Sequence, residues 1–219
     1  MSDVFDYAKY FIKQGLDTSR DTFDGNMKLQ KLLVFASLIS LAERDVPLFA
    51  DEILAFQQGC VVEKVRIRYK NDCAGFVEDS YKFNPVFSQE EYDIITLTVA
   101  LFGRLSARDL SDINHTFEFW NKAYNNSIQA DGFRDKGMSV VTIDAMRDEL
   151  GKVRNMITAF RNNEKENHSR ETINGVDFYF SPINLALTDD FIDHLYNFSL
   201  SADGKAYSVY LDDGGLVIY

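Results

Sequence analysis

His115 has two acids on its N-terminal side, Asp112 three residues earlier and Asp109 six earlier, and a histidine oriented by a carboxylate is half of a general acid–base pair. No nucleophile announces itself beside it. The other role open to it, a partly buried histidine hydrogen-bonded within its own helix junction, suits these surroundings better. Cys60 and Cys73 lie thirteen apart with no histidine at ligand spacing, so they read as free buried thiols rather than as a disulfide or a zinc pair. Reactive thiolates would also need a basic neighbourhood. There is no Walker A loop and no dinucleotide fingerprint. His168 falls in a polar linker and His194 on a short helix. These residues lead to the expectation of no catalytic group, no metal site and no cofactor, and so of a protein that is not an enzyme.

Binding chemistry has more to draw on. Lys64, Arg66, Arg68 and Lys70 alternate along a short amphipathic piece running from Val61, with Val61, Val65 and Tyr69 or Ile67 facing inward. This is the one dense basic patch, either a surface for an acidic partner or a solvated helix face. Trp120, the sole tryptophan, sits beside Phe117, Phe119 and Tyr124, as an interface anchor or as core packing where its helix joins the body. The formal charge of −11 speaks against sequence-independent binding to a phosphate backbone. Nine acids against Arg170 and Lys205 give residues 166–219 a charge of −7, and the first 165 carry −4. An acidic appendage suits a basic protein partner, and acidity also keeps proteins soluble.

The elements that must position these residues are mostly helical. Residues 27–42, from Met27 to Ala42, are too apolar for a surface helix and predict a central one, with Asp24, Gly25 and Asn26 as cap candidates and Lys28 and Lys31 snorkelling to water. Ser2 or Asp3 opens a helix with Val4, Phe5, Ala8, Phe11 and Ile12 on one stripe. Residues 53–59 read as a connector with some extended character, stopped by Gly59. Ser88 and Glu91 form a capping box, and Ser106 with Asp109 opens a further helix leading into His115 and Trp120. From Thr142, the residues Ile143, Met146, Leu150, Val153, Ile157 and Phe160 predict one continuous helix, packed within the chain or, as a lesser option, across a homodimer.

Beyond the polar run 161–170 the period changes. Asn174-Gly175 precedes a strand at 176–180, Thr188 with Asp189 and Asp190 caps a short helix, and a hairpin turning at 212–215 ends the chain. The fold class is therefore mainly α: a compact helical body over 1–165 with a small C-terminal β-containing extension over 166–219 resting on it. No basic start followed by an apolar run and no long apolar segment are present, so a cytoplasmic protein without membrane contact is expected.

Three groups of residues resemble the Panacea-domain family of SocA-like antitoxins. One is the run from Lys28 through Gln30 and Lys31 to Ala36. Another is Pro47-Leu48-Phe49 followed by Ile53, Ala55, Gly59 and Val61, with Gln58 and Cys60 departing from the family pattern. The third is Leu105-Ser106-Ala107 and Leu110-Ser111, then His115, Glu118, Trp120 and Ala123, with Asn114 and Phe119 departing. The resemblance covers about residues 4 to 125. It implies an antitoxin that binds and inactivates a cognate protein toxin. The acidic extension, which lies outside the resemblance, and the 64–70 patch supply the contact candidates Lys64, Arg66, Arg68, Asp189, Asp190, Tyr207 and Tyr210 and the expectation of a basic toxin, and the net acidity that of no direct nucleic-acid binding. The alternatives are a phage- or prophage-associated interaction protein without a toxin, a nucleic-acid regulator, and a His115-dependent enzyme.

Overall fold

From Lys28 to Leu41 every residue is buried, which is why no single stripe accounts for the apolar pattern of this stretch. The computed structural model describes residues 2–166, 169–181, 185–212 and 215–219. Among these the chain forms ten α-helices and two small sheets. It divides into two compact units, Met1–Ile157 and Thr158–Tyr219.

In the first unit, α1 (Val4–Lys13) is capped by Asp3 and buries Val4, Tyr7, Ala8, Phe11 and Ile12. The central α2 (Phe23–Arg44) is capped two residues ahead of the first expected cap: Thr22 is the N-cap, its hydroxyl accepting from the Gly25 N–H at 3.1 Å. Around α2 pack α1, α3 (Glu63–Asn71), α5 (Gln89–Phe102), α6 (Ala107–His115) and α8 (Ile143–Arg147), with α4 (Cys73–Lys82) against α1. Phe35 of α2 stacks on Phe102 of α5 with ring centroids 4.4 Å apart.

Two expectations need correcting here. The connector at 53–59 is a hairpin: β1 (Ile53–Phe56) pairs antiparallel with β2 (Gly59–Val62), and β3 (Val140–Val141) joins β1 on its other side. The body is therefore not all-α. The strands were illegible because both are short and almost wholly buried, so neither alternates. The single helix expected from Thr142 is two, α8 and α9 (Leu150–Glu166). A tight turn separates them, with the Glu149 N–H bonded to Met146 O. It aims the Glu149 carboxylate at α7 (Glu118–Asn126), accepting from the Phe119 N–H at 2.8 Å where Phe117, the N-cap, offers no side-chain cap. The apolar stripe survives the break, since Met146, Leu150, Val153 and Ile157 are all buried while Ile143 is exposed. Those buried positions belong to the core of the unit, not to a free seam.

The second unit is a four-stranded sheet ordered β4 (Ser169–Ile173), β5 (Val176–Phe180), β6 (Ala206–Asp212) and β7 (Gly215–Ile218). Asn174 and Gly175, both at positive φ (53° and 81°), make the tight turn between β4 and β5. The β5–β6 pair is parallel, and the crossover between them contains α10 (Asp189–Ser199), capped by Thr188. Phe191 and Leu195 of α10 share a core with Val176, Phe178, Phe180, Leu185 and Val209. The expected terminal hairpin forms as β6–β7, and its turn at 213–214, like His168, lies outside the described residues. No helix among the described residues is long and apolar enough to cross a membrane.

Glu91 ties two helices of the first unit together. It completes the α5 capping box with Ser88 and accepts from the Tyr7 hydroxyl of α1 at 2.6 Å and from the Ser2 N–H at 2.9 Å. Burial pushes its pKa up, but these hydrogen bonds outweigh burial and hold it at about 2. An acid with a depressed folded pKa stabilises the fold above its unfolded value and loses that contribution as pH falls towards the folded one. Wild type should thus lose stability between about pH 4.5 and 2 more steeply than Glu91→Gln in urea titrations, and equal slopes would contradict this assignment.

Candidate functional site

The β1–β2 hairpin drives its backbone into a helical core, and buried peptide groups need partners. Side chains from three helices supply them. From α2, Gln30 Oε1 accepts from the Val62 N–H at 2.9 Å, and Lys31 Nζ donates to Cys60 O at 3.0 Å. From α6, the Ser111 hydroxyl donates to Gln58 O at 3.0 Å, and Asn114 Oδ1 accepts from the Cys60 N–H at 2.6 Å. From α7, Trp120 Nε1 donates to Phe56 O at 2.8 Å. His115 lies beside the Gln57 backbone, and its ring lies against Trp120 with centroids 4.0 Å apart. Gln30 is steadied in turn by Asn26, whose Oδ1 accepts from Gln30 Nε2 at 3.1 Å.

Gly59 is required by this arrangement on two counts. Its φ is 91°, and a Cβ there would sit 2.5 Å from Asn114 Oδ1 and 2.9 Å from Lys31 Cε. The clamp thus closes on bare backbone. It leaves the Gln57–Gln58 turn exposed at the surface beside a cavity of about 530 Å³.

The charges in the clamp argue against chemistry on a substrate. Lys31 is fully buried, not snorkelling as its sequence position suggested, and among the described residues no carboxylate pairs with it. Burial lowers its pKa to about 8. Lys28 is buried as well and donates to Gly103 O at the end of α5, at 2.9 Å. Burial pushes the Cys60 thiol up to about 12, with the Lys31 charge opposing only in part, so it is no nucleophile at neutral pH. Cys73 is likewise a buried free thiol. Burial and then the Lys31 charge lower the His115 pKa, which favours the neutral imidazole. Asp112 is exposed, and among the described residues no hydrogen bond joins it to His115. Two polar atoms of the cluster, Asn114 Nδ2 and His115 Nε2, are buried without a hydrogen-bond partner.

Of the family-motif residues, Gln30, Lys31, Gly59, His115 and Trp120 converge on the hairpin, Lys28 braces α5, and Glu118 stands exposed in the first turn of α7. The basic patch is largely neutralised by neighbours. Lys64 pairs with Asp51 at 2.7 Å, Arg66 with Glu63 at 2.6 Å and Arg68 with Asp79 at 3.0 Å. In the second unit Asp189 and Asp190 are exposed in the first turn of α10, and Tyr210 is exposed on β6. Tyr207 is half-buried: its ring packs on Phe178 and Phe198 and its hydroxyl donates to Asp203 at 2.7 Å. Sequence reasoning missed Asn26, Ser111 and Asn114, because polar residues on helices read as solvent-facing unless something marks the strand they satisfy.

Two substitutions test the clamp. Gly59→Ala should cost about 1–3 kcal/mol in urea unfolding, and a loss under about 0.5 kcal/mol would show that the turn gives way freely. For Lys31 the folded pKa of about 8 lies below the unfolded 10.5, so above pH 8 the unfolded chain binds the extra proton and stability rises with pH until both states are neutral. Relative to Lys31→Met, wild type should gain on the order of 3 kcal/mol between those values; parallel pH profiles would contradict a buried, unneutralised ammonium.

Neither a curated protein nor a solved structure matches the chain. A family model does, over 93 of the 219 residues, and its description is Antitoxin SocA-like, Panacea domain. The matched segment, residues 29–121, contains every side chain that holds the hairpin, so it is the clamped part of this chain that carries the similarity to the SocA-like Panacea antitoxin family.

Proposed function

We propose that the protein is the antitoxin of a toxin–antitoxin pair and neutralises a cognate protein toxin by direct, non-enzymatic binding. The observation that carries this reading is the family match over residues 29–121, because it falls on a cluster whose groups are tuned away from catalysis. A high-pKa thiol, a histidine of lowered pKa lying against an indole and a lysine bonded to backbone build a rigid support rather than an active site. Neutralisation then works by covering the toxin's active surface. The charge of −7 over residues 166–219 suits a basic toxin, whose capture it speeds through long-range attraction. This reading places the protein with its toxin in the cytoplasm.

The test is growth of a host expressing the adjacent gene under tight control, with and without this protein from a second plasmid, followed by co-purification. Arrest alone, recovery together and a stable complex are expected. A harmless neighbour, or rescue with no complex formed, would contradict the reading. With the complex in hand, Asp189→Asn/Asp190→Asn should slow association severalfold at low salt and leave it unchanged at high salt.

A further inference from the structure

The cavity of about 530 Å³ lies between the start of α2, the Gln57–Gln58 turn and α3. Its volume falls within the range of small-molecule sites, about 300–1,000 Å³. The walls divide by chemistry. Phe23 stands 69 % exposed in the wall, with Met27 and Phe56 beside it, which leaves flat apolar surface in water at a place where a soluble protein gains nothing from it. The Arg66 guanidinium lies over the Phe56 ring, 5.3 Å from its centroid, and is spoken for by Glu63.

Two further cations in the wall, Lys31 and Lys70, have no carboxylate partner among the described residues, and Asp21 is the one acid there. Lys31 is covered from solvent, so it acts through its field rather than by contact; in a low-dielectric wall that field is weakly screened. The N-terminus of the 22-residue α2, with Thr22 and Phe23 in the same wall, adds positive potential. A cavity with excess positive charge in a chain of net charge −11 runs against the molecule's general field.

We infer that this cavity binds a small organic anion, a planar apolar body carrying a phosphate or carboxylate head, with the body against Phe23 and Phe56 and the head towards Lys70 and the field of Lys31. Size, flat apolar walls and unneutralised cations all select that class, and neutral or cationic ligands forgo the charge. The site does not depend on the antitoxin reading, since it concerns a ligand other than the toxin. Its occupant would rest on the Gln57–Gln58 turn that the clamp holds out.

Calorimetric titration of the full-length protein tests this with matched pairs: adenosine monophosphate against adenosine, and indole-3-acetate against indole-3-acetamide. At least one anion should bind about tenfold or more tightly than its neutral partner, and whichever it is identifies the head group. Phe23→Ala and Lys70→Gln, both at exposed positions, should each weaken that anion severalfold with circular dichroism and melting temperature unchanged. Lys31→Met should weaken it too. The inference is overturned if neither anion binds at millimolar concentration, if neutral partners bind equally well, or if Phe23→Ala and Lys70→Gln bind as wild type does.

Discussion

A β-hairpin pushed into a helical core brings peptide groups that must find partners there, and in this protein side chains from α2, α6 and α7 provide them. Leaving one such group unpaired costs about 1–3 kcal/mol, a large fraction of a domain's net stability. The consequence reaches beyond the hairpin. Gln30 and Lys31 fix the rotation of α2 about its axis, since both must face β2. Asn114, His115 and Trp120 fix the junction of α6 and α7 in the same way, against residues 56–60. The central helix, fourteen residues of it buried without interruption, gives its long polar side chains to the hairpin (Gln30, Lys31) or to the end of α5 (Lys28).

That economy gives residues of types common in active sites a structural task. The lysine is bonded to a carbonyl, the histidine lies tilted against an indole with its pKa lowered by burial, and the cysteine beside them keeps its proton. Burying a lysine without a counter-ion is a costly way to satisfy one carbonyl. Its charge is felt in the adjoining cavity, whose wall it shares with Lys70 and a single acid, Asp21. A scaffold of this kind presents a fixed turn and a fixed pocket, which is what a binding protein requires and a catalyst would have to add to.

Much of the fold was legible in the sequence, and the reasons are local. Capping boxes at Ser88 and Ser106 and the cap at Thr188 stand where the hydroxyl and acid spacing put them, because caps are decided within one turn of chain. The Asn174-Gly175 turn and the β6–β7 hairpin were equally plain. The β1–β2 hairpin was not, since two four-residue buried strands show no alternation, and without it Lys31 looked like a cation seeking water. The break before α9 was hidden because a tight turn keeps an apolar stripe in phase. The resemblance picked out Gln30, Lys31, Gly59, His115 and Trp120 without saying what they do; only their shared target, the hairpin backbone, gives them a common purpose.

The central claim is that this polar clamp holds the hairpin as firmly as the core holds the helices. Amide hydrogen exchange at Cys60 and Val62 measures it directly, because each N–H has a side chain as its partner. If the claim holds, both amides exchange as slowly as those in the middle of α2, through global unfolding, and Asn114→Ala releases Cys60 selectively. Exchange of Cys60 and Val62 at the rate of an exposed loop in the wild-type protein would contradict it.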